Sequence, residues 1–150
     1  MTTTIYLGAD HAGYALKEQL KRKLRLDFRI IDLGALRITP DDDYPDHARA
    51  VAQRIAKHES SGALGILVCG SSEGVCIAAN KFNGIRAVSA WTQKHAILSR
   101  EHNNANILCL SGWDLSVEKA ERITRAFLTT PFSEEPRHIR RIKKITRLER

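Results

Sequence analysis

Cys69-Gly70-Ser71-Ser72-Glu73-Gly74 sets a thiol at the end of an apolar run, Leu64 to Val68, and follows it with a turn of small residues. A helix-like segment, Val75 to Phe82, comes next. A strand ending at a base or nucleophile, then a glycine-flanked turn, then a helix start is the local plan of a backbone anion hole. The first amides of a helix have no partner inside it and point at whatever sits there. A thiol beside such a hole exchanges its proton more readily than one in water. The chemistry on offer is a proton-handling or nucleophilic cysteine next to a place for an oxyanion or phosphate. Simple packing is the alternative, since free cysteine is among the most buried residue types.

The elements that must position this thiol alternate regularly. Apolar strands read over Thr4 to Gly8, Phe28 to Leu33, Leu64 to Val68, Ile85 to Ser89 and Asn106 to Leu110. Helical spacing reads over Ala12 to Leu26, His47 to Glu59, Val75 to Phe82, Gln93 to His102 and Leu115 to Leu128, with a basic helix closing the chain. Residues 34 to 46 form a polar loop containing Asp41-Asp42-Asp43-Tyr44-Pro45, read as solvated and not as a metal site. Five strands alternating with helices predict an α/β fold, Rossmann-like, with one five-stranded parallel sheet and helices on both faces. With the strand order 2-1-3-4-5, the ends of strands 1 and 3 border one crevice, where such sheets bind ligands. Strand 1 ends at Asp10-His11 and strand 3 at Cys69, so both chemically capable ends face that crevice. Asp10 could equally cap the helix that follows it.

Composition narrows the class. At 150 residues, 43% hydrophobic and 27% charged, residues 1 to 150 read as one globular domain. The apolar runs are strand-sized, well short of the ~18 residues of a membrane helix. Met1 to Ile5 lacks the basic and apolar regions of a secretory signal. Three cysteines, Cys69, Cys76 and Cys109, with no paired spacing, fit a cytoplasmic protein without a zinc site. The net charge of +7 is concentrated in residues 137–150, where seven basic residues oppose Glu149 alone. Those fourteen residues carry +6, which leaves +1 for the rest. Ile139, Ile142, Ile145 and Leu148 recur every third residue there, predicting a helix with an apolar stripe and a basic face. Charge confined to one helix without interleaved aromatics argues against nucleic acid as the partner.

Several longer motifs run in one order along nearly the whole chain. They are Gly8-Ala9-Asp10-His11-Ala12-Gly13, Asp43-Tyr44-Pro45-Asp46 and Cys69-Gly70-Ser71, then Ile77 to Ala87 (IAANKFNGIRA), Ser99 to Leu108 (SREHNNANIL), and Arg137-His138 with Arg141. In these the chain resembles the ribose-5-phosphate isomerase B family, a group that also includes galactose-6-phosphate and allose-6-phosphate isomerases. The resemblance implies a metal-independent, cofactor-free aldose–ketose isomerase acting on a sugar phosphate through an enediolate, in a homodimer with the site at its interface. Whether dimers pair into tetramers stays open. Cys69 matches the family's base, Ser71 a helping hydroxyl, and Asn103 a polar residue near the reacting oxygens. Gly70 and Gly74 bound the oxyanion turn. Asp10 and His102 match the positions associated with opening the cyclic sugar. His11, Tyr44, Arg137, His138 and Arg141 match the set that holds substrate and phosphate. The chemistry suits these assignments. Histidine is the natural acid–base group near neutral pH, and guanidinium pairs four residues apart suit a phosphate dianion. His47, His58 and His95 match no role and read as structural.

The chain also departs from that pattern. Ser72 stands where the family has a glycine, Glu73 follows it, and Trp113 in Ser111-Gly112-Trp113 stands where the family has a phosphate-binding arginine. The readings in contention are a ribose 5-phosphate isomerase, an isomerase of another phosphorylated sugar such as allose or galactose 6-phosphate, and a non-catalytic binder of sugar phosphate or nucleic acid.

Overall fold

The computed structural model describes residues 3–58 and 61–150. The expected helix end at Glu59 and the first two residues of the leader reading lie outside them. The elements run β1 (Thr4–Ala9), α1 (Tyr14–Leu24), β2 (Arg29–Asp32), α2 (Tyr44–Lys57), β3 (Leu64–Cys69), α3 (Glu73–Ala79), β4 (Ala87–Ser89), α4 (Gln93–Asn103), β5 (Ile107–Ser111), α5 (Val117–Thr129) and α6 (Pro136–Thr146). All sheet pairings are parallel. Among the described residues no helix is long and apolar enough to cross a membrane.

Alternation along the strands feeds two cores. Ile5, Leu7, Ile66, Val68, Leu108 and Leu110 face α1, α4 and α5, whereas Tyr6, Leu67, Cys69, Ile107 and Cys109 face α2 and α3. Cys69 therefore points to the side on which α3 begins. The strand order is β2-β1-β3-β5-β4, which corrects the expected order 2-1-3-4-5 in its last two places. Burial explains the exchange. Every residue of β5 is buried, as a strand covered on both faces requires, whereas β4 has three residues and is only partly buried, as befits an edge. The consequence is local and chemical. Cys69 pairs with Ser111, so the turn after β5 lies beside the turn after β3.

Two further features shape the crevice. Tyr44 and Pro45, expected in the loop, open α2; proline is tolerated in a first turn because its missing N–H would be unpaired there anyway. Lys17 is wholly buried and its Nζ lies 2.9 and 2.8 Å from the two Asp32 oxygens, so the end of β2, and the loop leaving it, are pinned to α1. Burial works against an ionised Asp32, but Lys17, Lys21 and the Gly34 amide together hold its carboxyl below the ordinary value. The closing helix α6 packs least. Only His138 of it is buried, and Ile145 and Leu148 of the apolar stripe are exposed.

Candidate active site

At the carboxyl edge of the sheet a cavity of about 330 Å³ is lined by Asp10, His11, Ala12, Tyr44, Cys69, Gly70, Ser71, Gly74 and Trp113. Cys69 is 4% exposed. The backbone N–H groups of Val75, Ser72 and Ser71 favour its thiolate, but burial outweighs them and, with Asp10 nearby, pushes the thiol above its ordinary value. The ease of deprotonation expected from the turn is thus present as geometry and overridden by desolvation in the chain by itself.

The turn that holds these amides is tightly built. Gly112 N–H donates to the Cys69 carbonyl (2.7 Å), Trp113 N–H to the Gly70 carbonyl (3.2 Å), and the buried Ser111 hydroxyl to the same Gly70 carbonyl (2.6 Å). A Cβ at position 70 would stand 2.5 Å from the Trp113 ring, and one at position 74 would stand 2.7 Å from the Tyr44 ring. Both aromatic rings thus rest on glycines and line the cavity. Trp113 is 73% exposed and so does not serve as core filler.

The two departures in the turn also find places. Ser72 adopts φ 73°, a left-handed conformation that costs a non-glycine residue about 1–2 kcal/mol. Its buried hydroxyl bonds to that of Ser89, which helps offset the cost. Glu73 reaches the hydroxyls of Ser72 (3.5 Å) and Ser89 (3.3 Å) at the end of β4. Its carboxylate is therefore directed away from the cavity, among whose lining residues it does not figure.

Asp10 is buried and its Oδ1 accepts the Gly13 N–H at 2.9 Å, so it does shape the start of α1 while also lining the cavity. His11 is held by Asp42: Oδ1 accepts both the His11 N–H (2.9 Å) and Nδ1 (2.7 Å), and Oδ2 accepts His47 Nε2 (2.8 Å). Neither Asp42 nor His47 stood out in the sequence, where both read as bland. Among the described residues, Asp10, His11 and Asp42 form the one grouping with three metal-ligand atoms within reach of one another. The three N–H groups already on Asp42 make it a hydrogen-bond network.

The remaining expected site residues lie elsewhere. Asn103 ends α4, which precedes β5, so His102 and Asn103 sit beyond the amino edge of the sheet. The paired stretch from Gly65–Ile107 to Cys69–Ser111 alone spans about 13 Å at ~3.3 Å per residue. At this edge the His102 and His138 rings lie 4.4 Å apart, tilted by 37°. Ser133 Oγ donates to the Glu101 carbonyl (2.7 Å) and lies 2.8 Å from His138 Nδ1; both bonds hold together when Nδ1 donates. His138 is 3% exposed, which places it behind His102 and off the surface that carries Arg137 and Arg141. Those two arginines are exposed, and Arg137 Nε bonds Glu135 at 2.7 Å. One chain therefore separates the expected set into a carboxyl-edge half and an amino-edge half.

Comparison with known proteins gives this arrangement its context. The family described as Ribose/Galactose Isomerase matches residues 5–145. The chain is 46% identical over 147 residues to ribose-5-phosphate isomerase B of Mycobacterium tuberculosis, covering 97% of this chain and 90% of that protein. It is 39% identical over 146 residues to the Escherichia coli enzyme of the same name, covering 97% and 95%. Its fold is similar to the crystal structure of ribose-5-phosphate isomerase B from Mycoplasma genitalium with bound ribulose-5-phosphate, with a TM-score of 0.93 and 41% identity over 99% of this chain and 97% of that one.

Proposed function

The chain belongs to the ribose/galactose isomerase family, and from that membership and the cavity at Cys69 we propose that it interconverts ribose 5-phosphate and ribulose 5-phosphate with Cys69 as the base. The observation that carries this reading is the buried thiol at the end of β3 with three backbone N–H groups turned toward it and Asp10 and His11 beside it.

The reaction is a proton transfer between neighbouring carbons. In the open-chain aldose the Cys69 thiolate takes the proton from C2. The C2–H electron pair forms the C1=C2 double bond, and the carbonyl oxygen on C1 becomes the enediolate oxygen. The Ser71, Ser72 and Val75 amides are turned toward the Cys69 sulfur, beside the atom that takes the proton, and in this reading they also meet the enediolate oxygen without reorganising. A proton moves from O2 to O1, the Cys69 thiol returns its proton to C1, and C2 becomes the carbonyl of the ketose. Asp10 and His102 serve ring opening, Ser71 and Asn103 hold the reacting oxygens, and His11, Arg137 and Arg141 take the phosphate. Trp113 and Tyr44 flank the sugar. His138 acts through His102, which it holds by ring contact.

These roles require two copies of the chain. The carboxyl-edge cavity has Cys69 but a single group able to carry positive charge, His11, and the two arginines stand on an exposed helix at the other edge. A homodimer that lays α6 of one protomer along the carboxyl edge of its partner completes both sites and covers the exposed Ile145 and Leu148. We place the activity in the cytoplasm, consistent with three free cysteines, and treat residues 1–150 as one domain. Turnover of ribose 5-phosphate, allose 6-phosphate and galactose 6-phosphate, followed by ketose formation, tests the reading. Preference for the pentose is expected, and no turnover of any of the three would overturn it.

A further inference from the structure

We propose that Asp42, backed by His47, is the positioning residue that keeps the His11 imidazole cationic and aimed into the cavity, so that the Asp42 carboxylate sets the pH range over which this chain binds the substrate phosphate. The inference rests on the reading of His11 as a phosphate contact.

Geometry carries it. Asp42 grips His11 twice, at the backbone N–H and at Nδ1, which fixes both the start of the turn after β1 and the plane of the ring. An ionised carboxylate only accepts, so Nδ1 must carry a proton, and any further proton on the imidazole lies on Nε2. The other Asp42 oxygen accepts from His47 Nε2 at 2.8 Å, with the His47 side chain only 18% exposed on the first turn of α2. Asp42 thus ties the turn after β1 to α2 through both of its oxygens. The surroundings make the His11 charge consequential. Of the residues lining the cavity, Asp10 is acidic, Cys69 and Tyr44 are neutral in their protonated forms, and His11 alone can be a cation. Among the side chains that line this cavity, a phosphate dianion entering from solvent therefore meets its one cationic partner at His11.

The charged and titratable groups facing His11 are Asp10 on its own turn, Asp41 and Asp42 from the loop before α2, and His47 beyond Asp42. Cys69 and Tyr44 share the cavity with it. The Asp42 hydrogen bond is the first cause holding the His11 imidazole above its ordinary value; partial desolvation opposes it, and Asp10, Asp42 and Asp41 add weaker attraction. Asp42 is itself held low: burial works against the carboxylate, but the two His11 bonds and the His47 bond more than compensate. The sign follows. With Asp42 ionised, His11 stays charged to higher pH than an ordinary histidine, and phosphate affinity persists to that higher pH. Without the carboxylate, affinity falls away near pH 6.5, the ordinary histidine value.

The test compares the full-length wild type with Asp42→Asn and Asp41→Asn, using KM and kcat for ribose 5-phosphate from pH 5.5 to 8.5 and NMR titration of the His11 ring. For Asp42→Asn, KM should rise about five- to ten-fold at pH 7.5 and converge with wild type near pH 5.5, with kcat within about two-fold. The His11 midpoint should drop toward the ordinary value. Asp41→Asn removes a neighbouring charge without touching the hydrogen bonds and should leave both near wild type. A KM increase equal at every pH, or a His11 midpoint unmoved by Asp42→Asn, overturns the proposal. So does a wild-type midpoint at or below the ordinary value, a measurement that stands even if the variant fails to fold. The titration needs no substrate, so failure of the wild type to turn over any aldose phosphate would sink the functional reading and leave this inference to be decided separately.

Discussion

The two edges of the sheet carry the two halves of the expected chemistry, and they are built by different means. At the carboxyl edge the groups are fixed by backbone. Gly112, Trp113 and Ser111 lock the Cys69–Gly70 turn through carbonyl contacts, and Asp42 fixes His11. At the amino edge the groups ride on side chains of α4 and α6, held by one histidine pair and Ser133, with the arginines exposed. The rigid half suits a reaction that needs a base within reach of a carbon-bound proton, because errors of about 1 Å there cost orders of magnitude. The half on α6 suits a part of the site that must find its counterpart in another subunit.

The largest effect should come from the rigid half. Cys69→Ala should lower kcat at least about a thousand-fold, abolish exchange of the C2 proton with solvent, and leave sugar-phosphate binding within a few-fold. Because burial holds the wild-type thiol above its ordinary value, kcat should rise with pH through the neutral and alkaline range, and that rising limb should vanish with the thiol. Turnover of Cys69→Ala within a few-fold of wild type would move the base elsewhere. Glu73 would be a poor replacement, since its carboxylate is directed to Ser72 and Ser89.

The division between edges can be broken more directly. His102→Ala should be severely impaired on the cyclic substrate and much less so on an analogue locked open. If each site joins halves from two protomers, mixing Cys69→Ala with His102→Ala after subunit exchange should restore activity. Half of the dimers are then mixed, and each has one intact site, so recovery should approach roughly a quarter of wild type. No recovery in a mixture shown by mass to contain mixed dimers would place both halves of a site in one chain.

How much of this was legible beforehand follows the same division. The alternation of apolar strands and helices predicts the sheet, and the ends of β1 and β3 do meet at one cavity, because that depends on local pattern and on the connectivity of parallel sheets. The exchange of β4 and β5 depends instead on which strand is long and apolar enough to be covered on both faces, a competition between two segments that neither reveals alone. The separation of His102 from Cys69 follows once α4 is seen to run back along the sheet; motif order by itself sets no distance. Asp42 was hidden in a run of three aspartates that reads as solvated, since its two histidine partners are 31 and 5 residues away in sequence. His138, grouped with Arg137 by adjacency, lies about 100° around α6 from it and is buried where Arg137 is exposed.

Smaller effects should mark the phosphate end of the amino-edge half. Arg137→Ala and Arg141→Ala should each raise KM about ten- to a hundred-fold, as expected for a charge-assisted contact buried in the dimer proposed above, with little change in kcat. Lys143→Ala should change KM less than about two-fold, because at ~100° per residue Lys143 lies on the far side of the helix from both arginines. Equal effects of all three would mean that α6 supplies a diffuse field and not a clamp, and salt would then suppress affinity smoothly.

The smallest expected effect sharpens the comparison most, because it lies where the two halves would meet. Trp113 stands on the turn that locks Cys69, with its ring against Gly70 and most of its surface open. In the dimer proposed above, that surface faces the incoming sugar phosphate. An indole there offers an apolar wall to the C–H faces of the sugar and no charge to the phosphate. Trp113→Arg should tighten inorganic phosphate a few-fold, read by competitive inhibition, provided the phosphate docks near this turn. The same change should leave kcat lower, since the wall over Gly70 is lost while the thiol and its amides remain. Trp113→Phe should keep most of the wild-type kcat and none of the gain in phosphate affinity. If Trp113→Arg left phosphate inhibition unchanged while Arg137→Ala raised KM, the phosphate would lie wholly on the amino-edge half and His11, and the carboxyl edge would hold only the reacting carbons. If both variants left phosphate binding unchanged, the clamp would lie outside both regions, and the basic face of α6 would need a different anionic partner.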